Sequence, residues 1–220
     1  MKKLLTAGAL AMGMMSNAQA GLISIVSDGD SFAFVSPANN DVFGAGLNGV
    51  IGASIYVTDD VKLTFTYLGK EAAYVDKFYV GSSLLFTNNP SSPIGSTSVA
   101  WASTGLLDFR FTIGSGPIPT VTNAGNNGAA AANFYASSDS AFDSKEWRSM
   151  PGIQTFASMG LTLGPDSIVI ALDDSGAGPD DNHDDLVVHI KAEAVPEPGV
   201  LGLLGLGLAG IGFGASRRRS

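Results

Sequence analysis

Val61-Lys-Leu-Thr-Phe-Thr-Tyr67 alternates without a break. Val61, Leu63, Phe65 and Tyr67 are apolar or aromatic, while Lys62, Thr64 and Thr66 are polar. A period of two residues puts one set on a buried face and the other on an open one, which is the signature of a half-buried β-strand. Leu107-Asp-Phe-Arg-Phe-Thr-Ile113 repeats the pattern, with Leu107, Phe109, Phe111 and Ile113 on one face. Outward from these two stretches, Gly, Ser, Thr, Asn and Asp separate further short runs of β-branched and aromatic residues, and no long segment carries a 3.6-residue apolar period. The expected fold class is therefore all-β, a jelly-roll-like β-sandwich.

The pattern predicts particular pairings. Val50–Val57 and Val61–Tyr67 read as a hairpin across Thr58-Asp59-Asp60, and Tyr74–Val80 and Ser83–Thr87 as another around Gly81-Ser82. Ser167–Leu172 and Leu186–Ala192 read as the last two strands. Residues 114–140 read as a long low-complexity loop, with a helical turn at Ala129–Tyr135 or Ser144–Met150.

Both ends of the chain fall outside this pattern. Met1-Lys2-Lys3 is a basic n-region, Leu4–Met15 an apolar h-region, and Ala18-Gln19-Ala20 a small-x-small cleavage site, so residues 1–20 read as a signal peptide. Residues 195–220 run from Val195-Pro196-Glu197-Pro198 through a Gly/Leu-rich apolar segment, Gly199–Ala215, to Arg217-Arg218-Arg219. That segment has 17 positions, at the lower limit of the ~17–25 needed to span a bilayer as a helix. The arginines favour a cytoplasmic C-terminus. The division is thus 1–20 signal peptide, 21–194 exported β-sandwich domain, and 195–220 sorting and anchor tail with a transmembrane helix.

The order of Pro196-Glu197-Pro198, short Gly-rich span and terminal Arg217–Arg219 resembles the PEP-CTERM sorting tail of exopolymer-producing Gram-negative bacteria. The resemblance implies an exosortase as partner, cutting near the Pro-Glu-Pro. It also implies transient anchoring in the inner membrane, then delivery to the cell surface or the extracellular biofilm matrix.

Between the termini 7 basic and 19 acidic residues remain, a net charge near −12 with His neutral. Such a surface argues against nucleic acid or anionic lipid as a partner. There is no cysteine, which excludes disulfides, thiolate nucleophiles and Cys-based metal centres.

The acidic residues gather in Asp173–Asp185, D-D-S-G-A-G-P-D-D-N-H-D-D, which holds Asp173, Asp174, Asp180, Asp181, Asn182, Asp184 and Asp185. Oxygen ligands on a Gly/Pro-rich turn suit Ca²⁺, which takes six to eight oxygens in flexible geometry. Asp180, Asn182 and Asp184 alternate as the first EF-hand ligands do. However, Asp185 stands where that loop needs Gly, and Lys191 where it needs the bidentate Glu. Residues 161–193 instead resemble an acidic β-hairpin of bacterial secreted proteins that closes a β-sandwich domain, with His183 where relatives carry an aromatic. That resemblance implies Ca²⁺ as the cofactor. Two other readings stay open: a solvated turn whose charge blocks edge-to-edge pairing, and a glycosidase-like carboxyl pair such as Asp173 with Asp184.

Other matches carry less. Gly205-x-Gly207-x-x-Gly210 satisfies the dinucleotide fingerprint but lies in the apolar tail with no strand before it. Gly210-x-x-x-Gly214 is a small-residue spacing usual for such a span. Of the two histidines, His183 is read as facing the acidic loop and His189 as an outward strand residue. No nucleophile–base pair, P-loop or zinc motif is present, so no catalytic residue is assigned and the expected role is non-enzymatic, structural or adhesive. The alternatives are a carbohydrate-binding module recognising the exopolysaccharide, with Trp101, Trp147, Tyr56, Tyr67, Tyr74, Tyr79 and Tyr135 as candidate stacking residues, and a surface hydrolase.

Overall fold

The computed structural model describes residues 21–26, 31–33, 48–51, 53–58, 60–70, 74–88, 95–114, 120–125, 132–138, 146–149, 152–155, 160–175, 183, 185–195, 199, 202 and 205–208. In chain order the strands begin with β1 (Ile23–Val26), β2 (Ser31–Ala33), β3 (Asn48–Ile51), β4 (Ser54–Val57), β5 (Val61–Gly69), β6 (Lys77–Val80), β7 (Ser83–Thr87) and β8 (Ser96–Trp101). They continue with β9 (Gly105–Leu106), β10 (Phe109–Thr112), β11 (Thr120–Thr122), β12 (Asn133–Ser137), β13 (Glu146–Ser149), β14 (Gly152–Thr155), β15 (Ser167–Asp173) and β16 (Leu186–Ala194). All described pairings are antiparallel, and the fold is an all-β sandwich.

One layer is a seven-stranded sheet in the order β2-β3-β12-β15-β16-β5-β8. Facing it are a four-stranded sheet, β11-β10-β6-β7, and a three-stranded one, β1-β4-β9. The alternation in β5 and β10 does what the sequence requires. Val61, Leu63, Phe65 and Tyr67 enter the core from one layer, and Leu107, Phe109, Phe111 and Ile113 from the other. Aromatic rings interlock between the layers: Phe65 lies 5.8 Å from Phe78, and Phe109 lies 5.2 Å edge-on from Phe134. Such tilted and edge-on pairs add to the burial energy. Asn123 joins the two smaller sheets, accepting the Ile55 amide at 2.8 Å and donating to the carbonyls of Ile55 and Leu107 at 2.8 and 2.7 Å.

The middle of the large sheet is buried on both faces. All seven residues of β15, Ser-Ile-Val-Ile-Ala-Leu-Asp, are buried, as are Tyr135 of β12 and Val187 and His189 of β16. A continuous apolar run is what such a two-sided strand needs. His189 does point away from Val188 and Ile190, as its alternation predicts. It is nevertheless buried rather than outward, because this second face is covered too.

The β6–β7 hairpin forms as expected, with Gly81 at φ +55°, and β15 pairs with β16. The hairpin expected between Val50–Val57 and Val61–Tyr67 does not form. β4 pairs with β1 and β9, whereas β5 pairs with β16 and β8. The turn between them carries the chain from one layer to the other: the Thr58 amide donates to Leu22 at one end, and Asp60 accepts from Val195 at the other. Val57 and Val61 are both buried, each entering the core from its own layer.

The described parts of the segment 114–140 carry regular structure where a loop was expected. It supplies β11, the Asn123–Gly125 turn and the central strand β12. The helical turns expected at 129–135 and 144–150 give way to strand at 133–137 and 146–149. Phe134 and Tyr135 are both fully buried, which adjacent residues achieve in a strand covered on both faces. Residues 1–20 lie outside the described residues. In the tail, Gly199, Gly202 and residues 205–208 are helical. Among the described residues no helix is long and apolar enough to cross a membrane.

Candidate functional site

The acidic hairpin is anchored where β15 ends and β16 begins, at the register pair Leu172–Leu186. The Asp185 amide donates to Leu172 O at 3.1 Å, and Asp185 Oδ2 accepts the Asp174 amide at 2.7 Å. Asp173 Oδ1 accepts the Ser175 amide at 3.0 Å, a local Asx turn. Two of the three described aspartates therefore spend a carboxylate oxygen on the backbone of the hairpin itself.

The sequence reading missed the partner of this end. Asp76 precedes β6 and Asn88 follows β7, extending the Lys77–Thr87 register by one pair. Their backbones bond at 2.9 Å. Asn88 Oδ1 accepts the Asp76 amide at 2.7 Å, and Asn88 Nδ2 donates both to Asp76 Oδ2 at 2.7 Å and to the Asp185 carbonyl at 2.9 Å. Asn88 thereby ties the β6–β7 hairpin of one layer to the β15–β16 hairpin of the other. The available signal was symmetry: an Asp and an Asn flank the two arms of a hairpin that the sequence already indicates.

The cluster is dry. Asp76, Asn88 and Asp173 have no exposed surface, and Asp174 and Asp185 retain 5% and 7%. Burial pushes the Asp76 carboxyl up to about 6, against the opposing pull of Asn88, the Gly114 amide, the Asp174 carboxyl and Lys70. Asp76 Oδ1 is buried without a hydrogen bond. On the far side, Asn133, paired in register with Asp173, meets His183 at 2.8 Å between Oδ1 and Nε2. Burial holds the His183 imidazole down to about 4, so it is neutral at pH 7 and Nε2 carries the proton donated to Asn133. His183 thus contacts β12 through Asn133 and stands 6.0 Å from the Tyr135 ring; the loop carboxylates it was expected to face, Asp180, Asp181 and Asp184, lie outside the described residues.

The structure brings Asp173, Asp174 and Asp185 to one end of the sandwich. Asp180, Asp181, Asn182 and Asp184 lie outside the described residues. Among the described residues no group of three His, Asp or Glu side chains is placed to hold a metal. Among the described residues the candidate stacking side chains do not form a row. Tyr67 and Tyr135 are buried, Trp101 packs against the core, and the ring of Tyr79 is covered by the Arg110 guanidinium at 4.4 Å. Tyr56 and Tyr74 are exposed on separate elements, and the side chain of Trp147 lies outside the described residues.

At the other end of the sandwich β16 closes. Its last residue, Ala194, pairs with Val61, and the Val195 amide reaches Asp60 O at 3.4 Å. Residues 194–219 match the family model of the PEP-CTERM protein-sorting motif. The tail carries that sorting motif. A PEP-CTERM tail implies an exported protein processed by an exosortase. The match begins at the final residue of β16. Pro196, Glu197, Pro198 and Arg217–Arg219 lie outside the described residues. No curated protein matches the chain.

Proposed function

We propose that this chain is a non-enzymatic component of the cell surface or extracellular matrix, an exported β-sandwich sorted by an exosortase and associated there with exopolysaccharide. The observation that supports this reading is the sorting motif placed directly at the end of the last core strand. Among the described residues, every member of the buried core lies between Leu22 and Ala192, ahead of the tail. The cargo therefore keeps its fold when the tail is cut. The test is exosortase-dependent processing of the intact chain.

Within this reading Ca²⁺ fixes the acidic hairpin. The donors suit a hard cation, being carboxylate and amide oxygens, and the buried Asp76 carboxyl stands beside the Asp174 carboxyl, where a positive charge would be favourable. The described side chains alone do not make a metal centre, so Asp180, Asp181, Asn182 and Asp184 would complete it. Thermal unfolding with Ca²⁺ and with Mg²⁺ tests this part separately. The carbohydrate-module alternative draws no support from the scattered aromatic residues.

A further inference from the structure

The first described residues are pinned around one carboxylate. The Leu22 amide donates to Asp166 Oδ1 at 2.6 Å, while the Thr58 amide and hydroxyl donate to the carbonyls of Leu22 and Gly21 at 3.1 and 2.9 Å. Gly21 sits tightly in this turn. A Cβ built on it would stand 2.9 Å from Pro165 O, 3.3 Å from Ile23 O and 3.5 Å from Asp166 Oδ1. Oxygen atoms thus crowd Gly21. Among the described residues no Lys or Arg pairs with Asp166, and the nearby Lys191 ammonium is held by Glu193 at 3.0 Å.

We infer that the Asp166 carboxylate is the binding site for the α-ammonium of Gly21. The inference rests on the reading of residues 1–20 as a cleaved leader. Hydrolysis of the Ala20–Gly21 peptide bond consumes one water and leaves a carboxylate on Ala20 and an amine on Gly21. That amine takes up a proton at neutral pH, since α-amino groups titrate near 8. Cleavage thereby creates a cation at the residue beside which the Asp166 carboxylate already stands. The partial burial of the site makes the pair stronger than a fully solvated one. Asp166 also has a second attachment: its carbonyl accepts the Ala192 amide at 2.8 Å, two residues before the sorting motif begins. Leader removal therefore tightens the same end of the domain from which the tail departs.

The test uses residues 21–195, which hold every described member of the buried core. The protein is released from a fusion so that it begins either at Gly21 or, with leader residues retained, at Ser16. The form beginning at Gly21 is expected to unfold about 2–4 °C higher. Asp166→Asn keeps an oxygen acceptor for the Leu22 amide but loses the charge, and should bring the two forms to the same midpoint. An equal gap in the parent and in Asp166→Asn, or no gap in the parent, overturns the inference. N-terminal sequencing of the exported chain checks the leader separately. A first residue other than Gly21 overturns the cleavage boundary, while the recombinant pair still decides the role of Asp166.

Discussion

Asn88 and Asp76 clasp each other twice. The Asn88 amide nitrogen donates to the Asp76 carboxylate, and its oxygen accepts the Asp76 backbone amide, both at 2.7 Å and both in a region with no solvent exposure. The same nitrogen donates to Asp185 O, so a single side chain links the two layers at the acidic end. Buried polar groups that lose their partners cost about 1–3 kcal/mol each. Asn88→Leu, which preserves volume, should therefore destabilise the domain by about 3–5 kcal/mol, read as a lower denaturant midpoint. A loss below about 1 kcal/mol would show that the clasp is incidental.

The acidic end and its histidine have opposite responses to acid. Asp76 titrates near 6 when folded, against 3.8 for an unperturbed Asp, so the folded state takes up its proton first and stability rises as pH falls from about 6 to 4. His183 titrates near 4 when folded, against 6.5, so its contribution is complete above pH 6.5 and is lost on falling toward 4. Each excursion amounts to about 3 kcal/mol at 1.36 kcal/mol per unit, and in the parent protein the two largely cancel. In chelator-containing buffer, Asp76→Asn should expose a steep acid loss and His183→Gln an acid gain. Identical pH profiles for parent and variants would contradict both assignments.

Gly49 lies on β3 against the ring of Tyr135 of the neighbouring β12. A Cβ there would overlap the Tyr135 ring and hydroxyl. With Tyr135 fully buried, the ring has little room to retreat. Gly49→Ala should cost about 1–3 kcal/mol, the usual range for overpacking, seen as a lower thermal midpoint with the β-rich circular dichroism spectrum retained.

Calcium at the hairpin predicts selective stabilisation. At a concentration 100 times the dissociation constant, CaCl₂ should add about 2.7 kcal/mol, while MgCl₂ should add much less. The rise should vanish in Asp180→Asn/Asp184→Asn. With no shift, Asp180, Asp181 and Asp184 revert to a charged turn that guards the end of the sheet, while Asp173, Asp174 and Asp185 remain buried carboxyls of the hairpin base.

β10 and the first half of β5 were legible because their burial is one-sided and they carry their face in their own sequence; beyond Phe65, β5 is buried on both faces, at Thr66 and Leu68 as at Tyr67. The partners of β4 and β5 were not. A three-residue turn that switches layers looks the same in sequence as one that closes a hairpin, and the choice depends on contacts to Leu22 and Val195, far away in the chain. β12 was hidden for a different reason. Its Asn-Phe-Tyr-Ala-Ser run is buried on both faces and so lacks alternation. At the candidate site the aspartates of one hairpin were visible as a cluster. Asp76 and Asn88 were not, because each is an ordinary loop residue until the two layers are stacked.

The central claim, sorting of an intact β-sandwich through its PEP-CTERM tail, is tested most directly by mass spectrometry of the chain. It should be recovered from the surface and extracellular fractions of an exosortase-bearing host and of the same host lacking the enzyme. A C-terminus at or close to Pro196–Pro198 is expected in the first, and retention of Gly199–Ser220 on membrane-associated chain in the second. The same full-length C-terminus in both hosts, with the same location, would contradict it.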